Sequence, residues 1–175
     1  MSDVPESHSR RARSLRVLTA ALAGALVSAC EVGTVTEADG FTDAERAAIS
    51  ALTARNPGWR LAEERDNTFP EGIRAQRARE PRYHPYRRRG DWNHDGVPDL
   101  AVVLVRDSTF HAYWLPGAST GYGAAESLGE IPELRWGGLF EHDGGLLLGP
   151  FQSDAVWVYR WNGRTGTLEI EENDP

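Results

Sequence analysis

Apolar residues follow three spacings in succession along this chain: one unbroken run, one helical period, then a series of strand-like runs. The unbroken run covers residues 17–29 and contains no charge. It is too short for a membrane-spanning helix, which needs about 20 residues to cross the hydrocarbon layer. The helical period follows Thr42-Asp43-Ala44-Glu45, a capping box in which the hydroxyl and the carboxylate satisfy amides left open at a helix start. Ala44, Ala48, Ile49 and Leu52 fall on one face, Glu45, Arg46 and Arg55 lie elsewhere, and Asn56-Pro57-Gly58 is a stop, which predicts a helix over 43–54. Strand-like runs come at 59–62, 100–106, 110–115, 146–151, 155–161 and 167–171. The run 100–106 is apolar without alternation, as befits a central strand buried on both faces. Residues 63–82 are charged and broken by Pro70, Gly72 and Pro81, and read as a long loop with one strand near 73–77. Residues 116–124 read as a Gly-rich turn and 131–140 as irregular. An N-terminal helix packed on a largely antiparallel sheet of at least five strands is an α+β fold.

Charge gives the first run its meaning. Arg10, Arg11, Arg13 and Arg16 precede it, and a positive segment before a short apolar one is the pattern of a secretion signal. The run ends in Val27-Ser28-Ala29-Cys30, an aliphatic residue and two small ones before the single cysteine of the chain. This resembles a bacterial lipobox. The resemblance implies cleavage before Cys30, acylation of its thiol by diacylglycerol and further fatty chains such as palmitate, and a stable membrane anchor. The chain then divides into a signal peptide at 1–29, an acylated tether at 30–40 and one domain at 41–175. By the same resemblance Glu31, where an aspartate would retain the protein at the inner membrane, points to the outer membrane or periplasmic face of the envelope.

Composition sharpens this division. The 175 residues carry 19 cations, all arginine, against 26 acids, a formal net charge of -7. Loss of the first 29 residues leaves 15 cations and 24 acids on a mature chain of 146 residues. An acidic chain of that size has one core and no basic footprint for nucleic acid. One cysteine excludes an intramolecular disulfide, and its acylation excludes a cysteine nucleophile.

The sharpest chemical signal is Asp91-Trp92-Asn93-His94-Asp95-Gly96-Val97-Pro98-Asp99, with side-chain oxygens at positions 1, 3, 5 and 9 and glycine at position 6. Alternate oxygens around a tight turn suit a hard cation such as calcium, and glycine permits the dihedrals of the turn. Val97 at position 7 supplies a backbone carbonyl. An EF-hand would place glutamate at position 12, but that place is Val102, so the loop leads into a strand. Together with Gly90 and Leu100-Ala101-Val102, the segment resembles one unit of the FG-GAP or VCBS repeat. That resemblance implies calcium held by Asp91, Asn93, Asp95 and Asp99. His94 stands where that family has a small residue, and the chain has no second copy, so a multi-bladed propeller is not implied. Arg87, Arg88 and Arg89 are the competing partners for the three acids. Mutual repulsion among the acids favours a cation, and its role is expected to be structural.

Other candidates are weaker. No His-Glu-x-x-His pair marks a zinc site, no Gly-x-Ser-x-Gly elbow marks a serine nucleophile, and the glycines of 117–123 lack a P-loop lysine. Ala155, Trp157, Tyr159 and Trp161 share one strand face, which serves either as core or as a platform for glycan. The expectation is a lipid-anchored envelope protein with a binding or structural role and no catalysis, its partners being the membrane and an envelope protein or glycan. Two other readings stay open: a hydrolase using the 91–99 loop with His84 or His94, and a small periplasmic enzyme inhibitor.

Overall fold

The structure is a computed structural model, and it describes residues 40–153 and 155–171. The chain divides into two compact units, 1–32 and 33–175, and all described residues belong to the second. The expected signal peptide, the Cys30 lipidation site and the tether up to residue 39 lie outside the described residues. Among the described residues no helix is long and apolar enough to cross a membrane.

The domain is α+β. Helix α1 (Asp43–Arg55) starts at the expected capping box: the Thr42 hydroxyl accepts from the Glu45 amide and the Glu45 carboxylate accepts from the Thr42 amide. Strand β1 (Arg60–Leu61) follows, and then α2 (Pro70–Arg79), where a loop with one strand was expected. Pro70 opens the first turn of α2, Glu71 lies in that turn and Arg77 and Arg79 lie in the last, all favourable placements. The helix escaped the periodicity test because it buries only Gly72 and Ile73. Strand β2 (Arg87–Gly90) is a second unexpected element, masked by its run of arginines. Strands β3 (Asp99–Arg106) and β4 (Thr109–Leu115) form the predicted hairpin.

The predicted Gly-rich turn carries the short ribbon β5 (Gly117–Ala118) and β6 (Gly121–Tyr122). Then come β7 (Glu126–Glu130), a 3₁₀ turn at Pro132–Trp136 and β8 (Gly137–His142), so the segment expected to be irregular ends in a strand. Strands β9 (Gly145–Pro150), β10 (Trp157–Asn162) and β11 (Thr167–Ile170) complete a meander.

One sheet runs β1-β3-β4-β7, and β2 also pairs with β3. Since β4 occupies the whole of one edge of β3, β1 and β2 sit end to end along the other: β1 opposite residues 104–105 and β2 opposite 99–102. The second sheet is β11-β10-β9-β8. Strand β3 is the shared wall of two cores, which explains its unbroken apolar sequence. Ala101, Val103 and Val105 pack with Trp114, Leu139, Leu148 and Tyr159 between the sheets. Leu100, Val102 and Leu104 pack with Leu52 and Leu115 beneath α1.

One burial departs from the pattern. Glu45, expected on the solvent side of α1, is fully buried and paired with Arg89 of β2. Burial pushes its carboxyl up, but hydrogen bonds from Arg89 and Thr42 more than offset this and hold it below the usual carboxylate range.

Candidate metal centre

The 91–99 loop is the hairpin connection between β2 and β3, closed by the pairing of Gly90 with Asp99. Its curl follows from side chains that hydrogen-bond its own backbone. Asp91 accepts from the amides of Asp95 at 3.1 Å and Gly96 at 3.0 Å. Asn93 accepts from the Asp95 amide at 3.1 Å and donates its amide to the Asp95 carboxylate at 2.9 Å. Asp95 accepts from the Val97 amide at 2.8 Å. The chain turns through left-handed residues at His94 (φ 59°) and Gly96 (φ 85°). Histidine is among the side chains that adopt that region more readily than most, so the unusual residue at 94 still permits the turn.

Asp91, Asn93 and Asp95 therefore converge at the loop tip, with Val97 next along the chain. Neither carboxylate of the tip takes part in a salt bridge, and the competing arginines are engaged elsewhere. Arg88 pairs with Glu80 and Glu141, Arg89 pairs with Glu45, and Arg87 lies over the Phe41 ring at 4.3 Å.

Asp99 is placed differently. It is fully buried, and its two oxygens accept from the Trp92 amide at 3.0 Å and the Gly117 amide at 2.7 Å. It thus ties the first turn of the loop and the β5 segment to the start of β3. Burial pushes its carboxyl up, opposed by the Gly117 amide, the Trp114 indole and the Trp92 and Asn93 amides. The indole acts without closing a hydrogen bond of ordinary geometry, since Trp114 Nε1 has no such partner. Two glycines make the anchorage possible. A Cβ on Gly90 would lie 2.6 Å from the buried Trp92 ring, and one on Gly117 would lie 2.5 Å from the Pro98 carbonyl oxygen.

The fit to a cation follows from donor chemistry. Among the described residues no group of three His, Cys, Asp or Glu side chains forms a metal cluster. The loop tip instead presents two carboxylates, one amide oxygen and backbone carbonyls, an all-oxygen set suited to calcium and unsuited to zinc. Asp99 belongs to the set implied by resemblance, and its remaining lone pairs are all it has to offer beyond the two amides.

The histidines do not join this loop in a common cavity. His84 lines a cavity with Arg82, Arg88 and Arg89, and no residue of 91–99 lines it. Burial first, then the Arg87 charge, bring its ring down to about 4, so it is neutral at pH 7. His94 approaches Gly144 in the β8–β9 turn, where its Cε1 would lie 3.4 Å from an added Cβ. The aromatic face of β10 resolves as core: Tyr159 is buried, its hydroxyl donates to the Leu128 carbonyl, and Trp157 and Trp161 pack on the inter-sheet cluster. The inward turn of Asp99 was missed from sequence, since its partner Gly117 is distant along the chain. The only signal for it is that Asp99 borders the apolar run.

No family model matches the chain, and neither the curated proteins nor the solved structures contain a match.

Proposed function

We propose that this is a lipid-anchored protein of the bacterial cell envelope, held by acylated Cys30, whose 91–99 loop binds calcium as a structural ion. Its role is binding or structural and not catalytic. The observation that carries the calcium reading is the loop tip: Asp91, Asn93 and Asp95 gather their oxygens there and no arginine neutralises them. Asp91, Asn93, Asp95 and the Val97 carbonyl would hold the ion, with Asp99 bracing the loop from beneath. When bound, calcium supplies charge neutralisation and fixes the curl of the loop. Affinity in such sites rises with ligand charge, and a tip with two carboxylates belongs with extracellular modules, whose dissociation constants are on the order of 0.1–1 mM.

Calcium titrated calorimetrically into chelator-treated protein should give a one-site isotherm in that range. Absence of heat together with a melting temperature indifferent to chelator would end this reading. The anchor has its own test. Metabolic labelling with an alkynyl fatty acid should mark the wild type, fail to mark Cys30→Ala and leave that variant outside the acylated membrane fraction.

A further inference from the structure

We propose that the arginine-lined cavity at the start of the folded domain seats the anionic headgroup of a membrane lipid; this rests on the acylation of Cys30 proposed above. Residues 74–89 hold seven arginines and one acid, in a chain whose net charge is -7. The fold brings Arg82, Arg87, Arg88 and Arg89 around one cavity of about 700 Å³, with His84 in its wall and Gly40 at its margin. Three carboxylates oppose these four cations: Glu80 and Glu141 on Arg88, and Glu45 on Arg89. Arg82 is exposed and has no acid partner, so the cavity keeps a positive charge. His84, neutral at pH 7, adds no charge to it. Guanidinium groups present paired donors that match phosphate oxygens.

The position of the chain start favours a lipid over a free anion. The Gly40 carbonyl accepts from Arg89 Nη2 at 2.8 Å, which fixes the point where residues 30–39 leave the domain at the edge of this cavity. Ten residues reach at most about 35 Å. An acylated Cys30 therefore confines the cavity to the neighbourhood of the headgroups. Attraction between arginine and an anionic surface is strong only within about one Debye length, roughly 10 Å, so this proximity is what makes the cluster effective. The competing occupant is the chain itself, through Glu31, Glu37 and Asp39.

The test uses full-length acylated protein on phosphatidylcholine vesicles with and without phosphatidylglycerol. Flotation comes first: failure to float overturns the anchor itself, a result distinct from any below. For protein that floats, modification of Arg82 by phenylglyoxal is followed by peptide mass spectrometry. The expected result is modification roughly fivefold slower on the phosphatidylglycerol vesicles, the effect of about one arginine at an anionic surface, and lost at high salt. Arg79→Gln, which changes an arginine outside the cavity lining, should leave that protection intact. Equal rates on both vesicles overturn the proposal. So does equal protection by inorganic phosphate on neutral vesicles, which would make this a site for a free anion. Slow modification on neutral vesicles, relieved by neutralising residues 31, 37 and 39, would give the cavity to the chain's own acids and also overturn it.

Discussion

Two buried carboxylates stabilise this domain by opposite balances of the same forces. Asp99 has backbone amides and the Trp114 indole as its stabilising partners and remains above the usual carboxylate range, whereas Glu45 has a guanidinium and falls below it. The two should respond differently to mutation. Asp99→Asn keeps one acceptor and loses the other, orphaning the Trp92 or Gly117 amide; a cost of about 1–3 kcal/mol is expected from denaturant unfolding at pH 7. Arg89→Ala leaves Glu45 as an uncompensated buried charge, for which about 3–5 kcal/mol is expected, and Glu45→Gln in that background should recover part of it. The sign of the pH effect follows from the lowered Glu45 value. Its contribution is fully present above the ordinary carboxyl pKa of 4.5 and is lost as pH falls through the lower folded value. Melting curves across the acid range should therefore show a loss in wild type that is reduced in Glu45→Gln. An equal slope in both proteins would contradict the ion pair.

At the scale of elements, the β2–β3 hairpin shows two different demands for glycine. Gly96 stands in open space at φ 85°, so alanine there meets only left-handed backbone strain, about 1–2 kcal/mol. Gly117 has no room, since an added Cβ would lie 2.5 Å from backbone of the loop. Gly117→Ala should cost more than Gly96→Ala and also weaken calcium binding, because the clash displaces Pro98 beneath the loop; a titration of both variants checks the order. These elements also show what the sequence made legible. The capping box predicted α1 closely, and the unbroken run of β3 predicted a strand walled by apolar layers on both sides, because each signal is local. The loop tip was legible for the same reason. α2 and β2 were not, since both are rich in arginines whose partners, Glu64, Glu80, Glu141 and Glu45, come from other elements. The fate of Asp99 likewise depends on Gly117, a contact that exists only after β3 and β4 have paired.

Across the whole molecule, β3 converts a local event in the loop into a global one. The strand contributes side chains to the inter-sheet core and to the core beneath α1, so the domain cannot lose β3 and remain folded. Asp99, its first residue, is bound to the loop and to β5 at once. A cation held at the tip should therefore stabilise the entire domain and not merely order a surface turn. Binding to the folded state alone adds about 2.7 kcal/mol at a ligand concentration one hundred times the dissociation constant. For a domain of this size that corresponds to a rise in melting temperature of about 5–10 °C. Scanning calorimetry with calcium and then with chelator should show the shift as one cooperative transition moving intact. Asp91→Asn combined with Asp95→Asn removes the charge that attracts the ion and also the repulsion that opposes folding without it. That variant should therefore melt at or slightly above the chelated wild type and ignore calcium. A calcium-dependent shift that survives in this variant would place the ion elsewhere. An ordering of the loop with no change in melting temperature would show that the tie through Asp99 does not couple the loop to the core.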